Sequence, residues 1–128
     1  MKNKEKVNNW LQFAEEDLAI AKILLQDERR SANIVYHLQQ CVEKNLKGYL
    51  EAKYQNIENI HSLVVLLKLC SILDNDFNSL TNLVADFSNG NHCRYPNSDA
   101  TCSADAKTIT EWIQITEFVK KFVIDKIS

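Results

Sequence analysis

The sequence predicts an all-α fold: an up-and-down antiparallel bundle of about five helices, three long and two short. The 128-residue chain holds only two glycines and one proline, too little punctuation for a fold of strands and tight turns. Apolar residues also recur at the i, i+3, i+4 spacing of one helical face through three long stretches. With 45% hydrophobic and 25% charged residues, the composition supplies one core and fits a single domain over 1–128.

The first helix is expected from about Lys4 to Asp27. Its stripe is Trp10, Phe13, Ala14, Leu18, Ala21, Leu24 and Leu25. Asp17 falls on the edge of that stripe. It reads most simply as a solvated border residue, or else as a carboxylate orienting a basic or amide group of another helix. Ser31 is a plausible N-cap for a second helix reaching about Lys53. At about 100° per residue, one face of it collects Val35, Leu38, Val42, Leu46 and Tyr49. Tyr36, Gln40, Glu43, Lys44 and Lys47 gather opposite, as one polar stripe. The pattern favours a solvated helix back with i, i+4 pairs such as Glu43 with Lys47.

His61 and Ser62 open a third helix ending near Leu73, and His61 reads as a structural hydrogen-bonder there. Asp74-Asn75-Asp76 is turn and cap chemistry for a short fourth helix, Asp76 to Phe87. Residues 88–102 are polar, hold the only proline, and read as loop. Ser103 opens the last helix, which runs to about Lys126. That helix is apolar around much of its circumference, which predicts a central position or a dimer face.

Net charge is −2, so no footprint for nonspecific nucleic-acid binding is present. The opening Met1-Lys2-Asn3-Lys4 leads into an amphipathic helix and not an apolar leader, and no apolar run is long enough to span a bilayer. These features predict a cytoplasmic protein without membrane contact. Of the four cysteines, Cys41 and Cys70 fall among apolar helical positions and read as reduced core residues. His92, Cys93 and Cys102 lie close in sequence, but their spacing fits no usual zinc template. No metal or cofactor is expected.

Arg94-Tyr95-Pro96 stands at the centre of the polar loop. Arg94 offers a planar fork of donors for phosphate or carboxylate. Tyr95 offers a stacking surface, and Pro96 stiffens the backbone that carries them. Lys44 and Lys47 add point charges if the loop folds over their helix face. The same residues admit a structural reading, with Arg94 paired to Asp17 or Glu43 and Tyr95 plugging the end of the bundle.

Together these residues resemble the HEPN domain, named for its occurrence in higher eukaryotes and prokaryotes and a proposed role in nucleotide binding. Trp10, Ala14, Asp17, Leu18 and Ala21 are similar in order and spacing to the family's first helix. Gln40, Glu43, Lys44, Lys47 and Leu50 are similar to its second. His61, Leu63 and Leu67 look like its third, and Arg94-Tyr95-Pro96 looks like the motif before its last long helix. The resemblance implies a helical bundle that usually dimerises, with a nucleotide- or RNA-linked role. Many bacterial relatives sit beside a minimal nucleotidyltransferase as toxin–antitoxin pairs.

Ribonuclease members carry an arginine followed, four to six residues on, by a histidine near the final helix. Here no histidine follows Arg94. Arg30 and His37 match the spacing, but at the join of the first two helices. The expected function is therefore a non-catalytic module for a nucleotide or phosphorylated ligand, or for a nucleotidyltransferase partner. Arg94, Tyr95, Gln40, Lys44 and Lys47 would contact the ligand; Asp17, Glu43, His61 and Pro96 would orient them. The alternatives are an RNA-cleaving toxin with an atypical set, such as Arg94 with His61 or His92, and a purely structural dimerisation domain.

Overall fold

The computed structural model describes residues 3–26, 31–53, 55, 57, 59–88 and 106–128. They form five α-helices: α1 Lys4–Leu24, α2 Ser31–Ala52, α3 Leu63–Leu73, α4 Thr81–Ser88 and α5 Ala106–Ile127. A 3₁₀ helix over Asn75–Leu80 joins α3 to α4. The expected fourth helix is thus two pieces, a tight turn and then an α-helix. Asp74 starts the first piece by accepting from the Asp76 amide, the cap chemistry expected of this stretch. Ser62 caps α3 in the same way, its side chain accepting from the Val65 amide. Ser103, expected to open α5, lies outside the described residues.

Cross-helix pairs set the directions. Asn3 donates to the Glu51 carbonyl, His37 meets Asp17, and Trp10 lies beneath Lys47, so α1 and α2 are antiparallel. Lys120 pairs with Glu15 and Lys22 with Glu117, so α5 is antiparallel to α1 as well. α2 and α5 therefore run the same way, and the chain between them must recross the bundle.

The central helix is α2, packed against α1, α3 and α5; of the two roles expected for α5, a central position or a dimer face, the first falls to α2. α5 buries one stripe, Ile109, Ile113, Thr116, Val119 and Val123, and leaves Phe118 and Ile124 exposed. α2 buries Ile34, Val35, Leu38, Val42, Leu46, Tyr49 and Leu50, and also Gln39, Glu43, Asn45 and Lys47. The expected solvated back of α2 is therefore covered in part: Glu43 and Lys47 are buried, Gln40 and Lys44 are half-buried, and Tyr36 is exposed. With neighbours on several sides, this helix takes part of its polar stripe inside, where each polar group needs a partner.

Two close approaches allow this packing. Ala14 and Ala21, both buried, keep α1 shallow at two positions of its inner face. Gly48 on α2 lets the helices meet, since a Cβ there would lie 3.1 Å from Leu11 Cδ2. Phe13 and Leu25, expected in the α1 stripe, are exposed. Cys41 and Cys70 are buried free thiols, as expected. Tyr49, Phe77 and Phe122 form an aromatic cluster near the C-terminal ends of α2 and α5, with centroids 4.5 and 5.0 Å apart in sequence.

Candidate functional site

The polar face of α2 meets α1 and the start of α3 at two buried carboxylates. Asp17 on α1 is the first. Its Oδ2 accepts from Lys44 Nζ at 2.6 Å, and its Oδ1 lies 2.8 Å from His37 Nδ1. An ionised carboxylate is acceptor-only, so this contact places the proton on Nδ1 and leaves Nε2 as the other ring nitrogen. The structure thus realises the less simple reading of Asp17, a core-edge acid orienting basic groups of the next helix. His37 and Lys44 are seven residues apart, nearly two full turns, and so share one line along α2.

Glu43 is the second carboxylate. Lys47 Nζ is 3.2 Å from its Oε2, and the two side chains are only 3% and 7% exposed. His61, entering α3, approaches the same oxygen at 3.5 Å while its ring stays 73% exposed. The Lys47 ammonium also sits 5.3 Å from the Trp10 ring centroid, a distance at which the ring face attracts a cation. Each buried acid therefore holds one lysine and one histidine along a single seam.

The two lysines differ in access. Lys47 is enclosed by Glu43 and Trp10, so its ammonium faces the protein; the ligand contact expected of it needs a group at the surface. Lys44 is a quarter exposed, as is His37, and these two reach solvent. Aromatic surface flanks them. Phe13 lies 5.9 Å from Lys44 Nζ and is half exposed. The exposed Tyr36 ring meets His37 edge-on, with centroids 5.2 Å apart. Gln40, half-buried, lies between His37 and Lys44 on the same helix.

Arg94, Tyr95 and Pro96 lie outside the described residues, as do Arg30, His92, Cys93 and Cys102. Among the described residues, no group of three or more His, Cys, Asp or Glu side chains could hold a metal ion, and no helix is long and apolar enough to cross a membrane.

The family model described as the HEPN domain matches residues 7–127. The chain belongs to the HEPN family. The match runs from the first turn of α1 to the end of α5, so the Asp17 and Glu43 clusters fall within the HEPN domain itself. No curated protein and no solved structure matches the chain significantly.

His37 was legible in sequence only as a spacing coincidence with Arg30. The signal that could have found it is its place two turns before Lys44, facing an acid at the edge of the α1 stripe. Spacing alone puts both Trp10 and Phe13 in the α1 stripe; Trp10 does pack against the core, whereas Phe13 is half exposed.

Proposed function

We propose that this HEPN domain is a non-catalytic module that binds a nucleotide or another phosphorylated ligand along the α1–α2 seam. The observation that carries the reading is the pair Lys44 and His37. Both are held on the buried Asp17 carboxylate, and both are partly open to solvent between exposed aromatic rings. A phosphate needs charged donors fixed in place, and a base needs a ring face on which to stack. Phe13 and Tyr36 supply such faces beside the donors. Lys47 and Glu43 are assigned a supporting role beneath them, and Gln40 is placed to add an amide contact. Arg94 and Tyr95, on sequence grounds, are assigned to phosphate and base, with Pro96 stiffening their backbone.

Stacking and a few charged contacts on an open surface support affinities of about micromolar to millimolar. Calorimetric titration of ATP, GTP and their monophosphates into the wild type, Lys44→Met and Arg94→Ala tests the reading. Binding to the wild type that weakens at least about tenfold in a folded Lys44→Met variant, the loss of one charged contact, supports it. No binding to the folded wild type overturns it. The partner reading, a HEPN homodimer or a complex with a minimal nucleotidyltransferase, then becomes the one to pursue by co-purification.

A further inference from the structure

The charge along the seam is balanced. Asp17 and Glu43 oppose Lys44 and Lys47, two negative charges against two positive. With both imidazoles neutral, these groups together offer an anion no surplus positive charge. The lysines orient donors, yet the carboxylates beneath them cancel much of their attraction at a distance. Among these described seam groups, the remaining source of positive charge is the two histidines, the side chains that ordinarily change charge between about pH 5 and 8.

We propose that anion binding at this seam is proton-linked through His37, so that the site takes up a phosphate-type or sulfate-type anion together with a proton. The inference rests on the anion-binding reading above and adds its regulation. Protonation takes the Asp17–His37–Lys44 group from neutral to a charge of +1. Nδ1 keeps its bond to Asp17, and Nε2 gains an N–H. The anion then meets that donor beside the Lys44 ammonium, both held on the Asp17 carboxyl group beneath them.

The surroundings of His37 fit this role. From α1, Asp17 faces it directly; on α2, Lys44 lies across that carboxylate, and the Tyr36 ring packs edge-on. These, among the described residues, are the charged and titratable groups that meet it. His61 makes a longer contact with Glu43, which it shares with Lys47, and is mostly solvated. It therefore holds an imidazolium less firmly in place and contributes less.

Sulfate is the decisive probe, because its charge is constant across the histidine range whereas phosphate titrates within it. Sulfate affinity is measured by calorimetry or by histidine-ring NMR at about pH 5.5, 7 and 8.5, a span that brackets imidazole titration. Helicity is followed by circular dichroism. The expected result is binding about tenfold tighter at the lowest pH than at the highest. That dependence flattens in His37→Gln, whose amide can still donate to Asp17 but cannot take up a proton, and largely persists in His61→Gln. Equal sulfate affinity at all three pH values overturns the proton linkage and leaves the anion site standing. A full pH dependence retained in folded His37→Gln also overturns it. Absence of sulfate and nucleotide binding at every pH overturns both this inference and the site on which it rests.

Discussion

Lys47 and Glu43 form an ion pair one helical turn apart with almost no access to water: 3.2 Å, with side chains 3% and 7% exposed. On a solvated helix such a pair contributes a few tenths of a kcal/mol. Here burial changes its consequences. Removing the ammonium leaves a carboxylate in the interior without its closer basic partner among the described residues, beside the longer contact from the exposed His61. Lys47→Met should cost about 3 kcal/mol, the low end for breaking a buried pair, including the lost contact with Trp10. Lys47→Met/Glu43→Gln should recover part of that loss, because the stranded charge is gone. Urea denaturation of the single and double variants checks both. A Lys47→Met variant within about 0.5 kcal/mol of the wild type, the ordinary range for surface changes, would sink the idea of an enclosed pair.

Gly48 marks a close approach between α1 and α2. An added Cβ would meet Leu11 Cδ2 at 3.1 Å and Trp10 Cβ at 3.5 Å. Alanine gains up to about 1 kcal/mol of helix propensity, and the end of the Leu11 side chain can give, so Gly48→Ala should leave stability nearly unchanged. Gly48→Leu cannot be absorbed in the same way. It should cost about 1–3 kcal/mol as an overpacked contact, read as a lower denaturation midpoint. It should also disturb the adjacent Lys47–Trp10 contact, visible in tryptophan fluorescence.

The acid limb of stability should depend on Asp74. Lys126, 2.8 Å away, and the Asp76 amide hold its carboxyl below the usual aspartate value. A carboxylate with a depressed folded-state pKa stabilises the fold above its unfolded-state value, near pH 4. That contribution disappears as pH falls through the lower, folded-state value. Asp74→Asn can still cap the 3₁₀ helix but carries no charge. Below about pH 4 the variant should lose stability less steeply than the wild type, and the two curves should converge in acid. Parallel thermal melts from neutral to acid pH distinguish this from a uniform offset.

The helices were legible because their signals are local. Apolar spacing located α1, α2, α3 and α5, and the side chains of Ser62 and Asp74 act as caps where the sequence placed turn chemistry. The centrality of α2 was not legible, because periodicity records which residues are apolar and not how many neighbours a helix will have. Glu43 and Lys47 look the same in sequence whether their pair faces water or Trp10. α5 looks apolar around much of its circumference partly because Phe118 enlarges its arc, yet that ring is exposed. Asp17 sat on the border of a stripe, where pattern is ambiguous; its role was decided by His37 and Lys44, twenty and twenty-seven residues further along.

Cys41 and Cys70 provide an internal report on how firmly this core is held. Burial pushes both thiols up to about 12, and for Cys41 the Asp17 and Glu15 carboxylates add to the effect. The thiolate is the reactive form, so neither residue should be alkylated by iodoacetamide near pH 8 unless the bundle opens. Peptide mass analysis should show both unmodified in the native protein and modified in urea. Cys41 lies on α2 and is fully buried, so its labelling requires the packing around that helix to open. When reclosing outpaces labelling, the rate follows the population of the open form. The loss of about 3 kcal/mol expected for Lys47→Met should then raise Cys41 labelling by about a hundredfold. Rapid native labelling of Cys41 in the wild type would mean that the packing around α2 is not the closed core described above.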